Sequence, residues 1–106
     1  MNNEMATTAL NQLTNSNNGT SRLSAMIGAK NFARDEKNYT IDFKFAAKAK
    51  NKANYCRIKL NASDLYDMEF INIRGVNVKT VGTHSGLYAD MLKSTFETET
   101  GLYLSL

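Results

Sequence analysis

A chain of 106 residues, 42% of them hydrophobic, with five Phe, five Tyr and no Trp, supports one hydrophobic core and is too short for two. No run approaches the roughly 18 consecutive apolar residues of a membrane span, the N-terminus lacks a basic segment followed by an apolar one, and Cys56 is the single cysteine; a cytoplasmic protein with no membrane partner is expected. The net charge of +3 is unevenly spread: residues 30–59 hold nine of the thirteen Lys and Arg against three acids, a local charge of +6 that leaves −3 for the remainder.

Residues 1–21 are rich in Asn, Ser and Thr and carry no Phe, Tyr, Val or Ile. Such a segment buries too little apolar area to offset ordering entropy, so it is expected to be a flexible tail preceding one domain over residues 22–106. Met5, Ala6, Leu10 and Leu13 nonetheless lie near helical spacing, enough for a short helix against a partner.

Tyr39, Ile41, Phe43 and Phe45 alternate with polar residues and predict a strand. A lysine-rich connection over 46–53 leads to a second strand at 55–60, with Cys56, Ile58 and Leu60 on one face and Tyr55, Arg57 and Lys59 on the other. Residues 61–64 read as a turn or a cap for one helical turn through Leu65 and Tyr66. Strands are expected at 68–74 and 76–81 about a turn at Gly75, then a loop over 82–86. Leu87, Met91, Leu92 and Phe96 follow a 3.6-residue period and Gly101 gives a stop signal, predicting a helix over 87–100. Leu102, Leu104 and Leu106 alternate with polar neighbours as a short terminal strand. Strands that precede a helix in this way imply an α+β fold, a mainly antiparallel sheet of about five strands with the 87–100 helix packed on one face.

Residues fit for catalysis are few, and no enzyme activity, cofactor or metal is expected. His84 is the single histidine and reads as a solvated loop residue, and Cys56 reads as core. Asp64, Asp67 and Glu69 lie close in sequence but lack the glycine and terminal glutamate of a calcium loop, so a solvated turn explains them. Glu97 and Glu99 fall in the last turn of the predicted helix, where they oppose its dipole and are expected to be solvent-exposed.

One constellation carries chemistry. With the hairpin formed, its outer face presents Lys44, Tyr55, Arg57 and Lys59, and the connection adds Lys48, Lys50 and Lys52. Cations neutralise phosphates while a ring stacks a base, the two devices that single-strand-binding sheets combine. The plainer reading is a lysine-rich hairpin kept soluble and protected from edge pairing.

The stretches at 26–32, 52–55, 64–67, 73–75, 90–92 and 100–106 resemble a group of small uncharacterised proteins encoded by tailed bacteriophages, over about residues 23–106. The resemblance implies a phage context, acting in the host cytoplasm, and assigns no site. In that context the expectation is a small accessory protein that binds nucleic acid, single-stranded DNA or RNA, through the basic hairpin. The alternative is an inhibitor that binds a host enzyme or defence complex by protein contact. Either acts as a monomer or a homodimer, the latter through the terminal strand or through the 39–45 strand where that strand forms a sheet edge.

Overall fold

A computed structural model describes residues 4–104. Two helices, α1 (Glu4–Thr14) and α2 (Gly19–Ile27), precede five strands: β1 (Lys30–Asp35), β2 (Thr40–Lys44), β3 (Tyr55–Leu60), β4 (Tyr66–Arg74) and β5 (Asn77–Leu87). A 3-10 turn (Ala89–Met91) then leads into α3 (Leu92–Thr100). The strands form one antiparallel sheet in the order β1-β2-β3-β4-β5, so each strand pairs with its neighbours in sequence. The architecture is α+β, as expected, with α3 packed against the sheet.

The period-two pattern places Ile41, Phe43, Cys56, Ile58, Met68 and Phe70 on the inner face, where all are buried. Phe96 of α3 sits at the centre of this face, its ring 5.7 Å from those of Phe45 and Phe70 and 6.4 Å from that of Phe43. Rings at such separations pack edge-on or tilted rather than face to face. Gly101, with φ +74°, ends α3 in the left-handed conformation that the stop signal implied.

The flexible tail is corrected. Met5, Ala6, Ala9, Leu10 and Leu13 fall on one face of α1 and are buried in the common core. Ala, Leu, Met and Gln favour helix, and the stripe they form needs no aromatic residue once a sheet is there to receive it. Tyr66 of β4 donates its hydroxyl hydrogen to Gln12 Oε1 at 2.7 Å, tying α1 to the sheet. Helix α2 starts where Asn18 Oδ1 accepts from Ser21 N at 3.2 Å. A Cβ on Gly19 would collide with the Leu10 carbonyl, so this glycine lets α2 approach α1 closely.

Four further expectations are corrected. The fifth strand is β1, not a terminal strand; residues 102–104 are not in the sheet, and Ser105 and Leu106 lie outside the described residues. Residues 82–86 belong to β5 rather than to a loop, because β4 continues to Tyr66 and gives them partners, with irregularities in register at Tyr66/Met68 and Phe70/Ile71 absorbing the extra residues. Residues 61–64 form a turn with no helical continuation, since Tyr66 already pairs with Leu60. The predicted helix over 87–100 is shortened, because Leu87 closes β5 opposite Tyr66.

Candidate nucleic-acid interface

The expected hairpin forms, with Lys44 opposite Tyr55, Asp42 opposite Arg57 and Thr40 opposite Lys59. Because side chains alternate along a strand, Lys44, Tyr55, Arg57 and Lys59 share the outer face, away from the helices. That face is not uniformly basic. Asp42, nearly buried, accepts from Arg57 Nε and Nη2 at 2.9–3.1 Å and from the Tyr55 hydroxyl at 2.7 Å. Glu69, opposite Arg57 on β4, lies 3.9 Å from its Nη1. The hydrogen bonds to Asp42 hold the Arg57 guanidinium protonated well above its ordinary range. Burial, together with the Asp42 hydrogen bond, pushes the Tyr55 phenol up to about 12. Arg57 is therefore an internal partner of two carboxylates rather than a free cation, while Tyr55 keeps a half-buried ring with its hydroxyl fixed.

The connecting loop is better suited to an anion. Lys48 and Lys52 border an open depression of about 310 Å³ together with Arg74, Asn54 and Asn72, and no acidic residue lines it. Among the described residues none of the three cations is ion-paired. Arg74 was not singled out from the sequence. Its signal lay in the antiparallel pairing itself, since Tyr55 sits opposite Ile71 and the chain running back from Tyr55 along β4 brings Lys52 toward Arg74. The same logic places Lys79 opposite Asn72 at this end of the sheet.

The loop is held in place by its own polar side chains. Asn54 donates Nδ2 to the Ile73 carbonyl and accepts from Ile73 N, both at 2.9 Å, continuing the ladder beyond β3. Asn72 Nδ2 donates to the Lys52 carbonyl at 2.6 Å, and Asn51 Oδ1 accepts from Ala53 N at 3.0 Å. On the other flank the Ala46 and Ala47 N–H groups both donate to the Ile27 carbonyl at 3.1 Å. Backbone so fixed presents its lysines without a large ordering cost on binding.

Lys50 and Lys59 lie elsewhere. Lys50 N donates to the Thr100 carbonyl at 2.8 Å and its stem approaches Gly101, so this lysine belongs to the end of α3. Lys59 stands at the opposite end of β3, beside Lys37 and Tyr39. The seven residues singled out from the sequence thus divide among the outer face, the loop depression, the α3 terminus and the far end of the hairpin.

Four other residues are now placed. His84 is not a solvated loop residue: it lies in β5 with Nε2 3.1 Å from Glu99 Oε2 and its ring edge-on to Phe70 at 6.1 Å. Glu99 also accepts from Asn51 Nδ2 at 3.3 Å, and Glu97 Oε2 accepts from Leu104 N at 2.8 Å, so both helix-terminal acids have partners. Cys56 is fully buried, and burial pushes its thiol far up from the ordinary value, away from nucleophilic chemistry. Among the described residues no group of three or more His, Cys, Asp or Glu side chains is placed to hold a metal ion, and no helix is long and apolar enough to cross a membrane.

No family model matches the chain, and no curated protein and no solved structure matches it.

Proposed function

We propose that this chain is a non-enzymatic accessory protein that binds single-stranded nucleic acid at the loop end of its sheet. Lys48, Lys52 and Arg74 take phosphate, Lys44 supports them from the outer face, and Tyr55 offers a ring for stacking. The observation that carries this reading is the acid-free depression shared by two loop lysines and a β4 arginine. Ammonium and guanidinium groups with no internal counter-ion bind phosphate by releasing its condensed cations, which needs no sequence recognition. Arg57 serves this site indirectly, orienting Tyr55 through their common acceptor Asp42. The phage context implied by the resemblance suits such a protein, and the host cytoplasm is the compartment this reading proposes for it.

Salt titration of single-stranded DNA and RNA binding tests the reading. Three phosphate contacts on a single strand give a slope of about −2 in log affinity against log salt. Replacing Lys48 and Lys52 together by Glu is expected to abolish binding at moderate salt while leaving the melting temperature unchanged. Undiminished binding by that variant overturns the assignment.

A second reading, an inhibitor of a host enzyme or defence complex, is favoured by a different observation. Val76 and Val78, at the tip of the β4–β5 hairpin, are 97% and 67% exposed. Neighbouring apolar side chains exposed on a turn suit contact with a partner protein's surface. Pull-down from a bacterial lysate after nuclease treatment separates the two: a partner retained by the native chain and lost with Val76→Ser and Val78→Ser supports inhibition.

A further inference from the structure

We propose that a second depression, at the far end of the β2–β3 hairpin, is a guanine-nucleotide subsite. The inference deepens the single-strand reading by naming the base that this end of the sheet selects. The depression measures about 490 Å³ and is walled by Lys37, Asn38, Tyr39, Lys59, Asn61 and Asp64. That volume lies within the range of small-ligand sites, about 300–1,000 Å³.

Two turns build its walls, each fixed by one side chain. Asp35 Oδ1 accepts from Lys37 N and Asn38 N at 3.1 and 3.2 Å, and Oδ2 accepts from Asn38 Nδ2 at 2.7 Å. Facing it, Asn61 Oδ1 accepts from Ser63 N and Leu65 N at 2.8 and 3.2 Å, and Asn61 Nδ2 donates to Asp67 Oδ1 at 3.0 Å. The turns are joined where Leu60 N donates to the Tyr39 carbonyl at 3.0 Å. The residues of the depression thus stand on a frame that exists before any ligand arrives.

The chemistry inside is that of a nucleotide. Tyr39 is 42% exposed, although it opens the alternating row that buries Ile41 and Phe43. Its φ of +56° turns it out of the alternation that buries Ile41 and Phe43. An exposed ring is a stacking platform for any base. Lys37 and Lys59 supply two ammonium groups for the phosphate. Asp64 supplies an acceptor, and a carboxylate has two acceptor oxygens side by side. On an unpaired base only the Watson–Crick edge of guanine offers two adjacent donors, its ring N–H and its exocyclic amine. Adenine and cytosine place an acceptor beside the amine, and uracil flanks its single donor with two carbonyls. Asp64 accordingly selects guanine, whether it arrives as a free nucleotide or within a strand.

The test titrates the intact chain with guanosine, adenosine, cytidine and uridine monophosphates, and with a thymine tract with and without one guanine, read by amide chemical shifts. Guanosine monophosphate is expected to shift residues 37–39 and 59–64 and to bind on the order of tenfold tighter than the others, the size of one bidentate base contact. Tyr39→Gly is expected to lower affinity about as much without loss of stability, since Gly takes positive φ freely. Asp64 also has a positive φ, +60°, which Asn adopts readily, so Asp64→Asn is expected to fold normally and lose the preference for guanine. Mononucleotide binding without tract binding would identify the free nucleotide as the ligand of the same subsite. Tract binding that depends on Lys48 and Lys52 but ignores Tyr39→Gly would overturn the subsite and leave the loop reading intact. Tract binding that ignores the loop lysines but falls with Tyr39→Gly would do the reverse. No shift at residues 37–39 and 59–64 with any nucleotide at millimolar concentration overturns the subsite outright.

Discussion

Asp42 and Arg57 face each other across β2 and β3 and are joined by hydrogen bonds of 2.9–3.1 Å, in a pair that also takes the Tyr55 hydroxyl at 2.7 Å. A carboxylate so buried depends on the hydrogen bonds from its two donors, and removing either leaves it underserved. The triad therefore fixes the orientation of Tyr55 on the outer face while cancelling the charge of Arg57. Its effect is to divide a run of basic sequence into a neutral sheet centre and a cationic loop end.

Tyr55 reports the triad directly. Its phenol is raised from 10.0 to about 12 by burial and by Asp42, so the folded state holds the proton more tightly than the unfolded one. The stabilisation is complete below pH 10.0, the unfolded value, and is lost as pH rises through about 12. Spectrophotometric titration of phenolate is expected to show a late-ionising tyrosine that disappears in Tyr55→Phe, while the Tyr66 phenol, which burial also raises, remains. Asp42→Asn is expected to bring that ionisation down toward the ordinary range, because it removes the carboxylate that both accepts the hydroxyl hydrogen and repels the phenolate. An unchanged late ionisation in Asp42→Asn would show that Asp42 does not hold Tyr55.

Helix α1 gives the clearest stability prediction. Leu13 is fully buried between α1 and the rest of the core. Leu13→Ala is expected to cost about 2–5 kcal/mol, the range for deleting a buried leucine side chain. A flexible tail would give no change. Urea denaturation of the full chain decides between them, with a lowered midpoint and an unchanged slope as the expected result.

The contrast between α1 and the strands explains what was legible in the sequence. Alternation at Ile41 and Phe43 or at Cys56 and Ile58 is a local signal, since each strand buries its own face whatever it pairs with. Glycines 75 and 101 mark a hairpin turn and a helix end by their positive φ alone. Helix α1 carried a real period, but its small apolar side chains are buried only because the sheet comes later in the chain to receive them. β1 was invisible for the related reason that an edge strand with mostly exposed residues has no burial pattern to read. The candidate site suffered most from this distinction. Lysines near one another in sequence are readable as a cluster, whereas the arginine that completes the depression arrives from further along the chain through β3–β4 pairing, and the acid that neutralises Arg57 arrives from β2.

Asn54 couples fold to site. Its two 2.9 Å hydrogen bonds with Ile73 tie the loop to β4 beside the Asn72 bond to the Lys52 carbonyl. Asn54→Ala removes both and is expected to cost about 1–2 kcal/mol, at roughly 1 kcal/mol per net hydrogen bond. The Ile73 amide should then exchange its hydrogen faster, and single-strand affinity should fall because Lys48 and Lys52 start from a loop held by fewer bonds. Faster exchange with unaltered affinity would mean that the loop orders on binding in any case.

The end of the chain sets the last prediction. Leu104 is fully buried, and its N–H donates to Glu97 Oε2 at 2.8 Å, so the segment after α3 is drawn back onto the core as an irregular stretch rather than as a strand. β2 lies between β1 and β3, which removes the 39–45 strand as a dimer edge. The sheet edges are β1 and β5, and β5 carries register irregularities of the kind that discourage edge pairing. Both facts point to Leu104 as a stabilising residue of the single chain. Leu104→Ala is expected to lower stability by about 2–4 kcal/mol through the cavity it leaves, with no change in mass by sedimentation. Glu97→Gln keeps the acceptor oxygen but not the charge, and should cost less than half as much, since a hydrogen bond to a charged group contributes only about 1.5–3 kcal/mol in total. A native dimer converted to a folded monomer by Leu104→Ala would instead place this residue at an interface between chains.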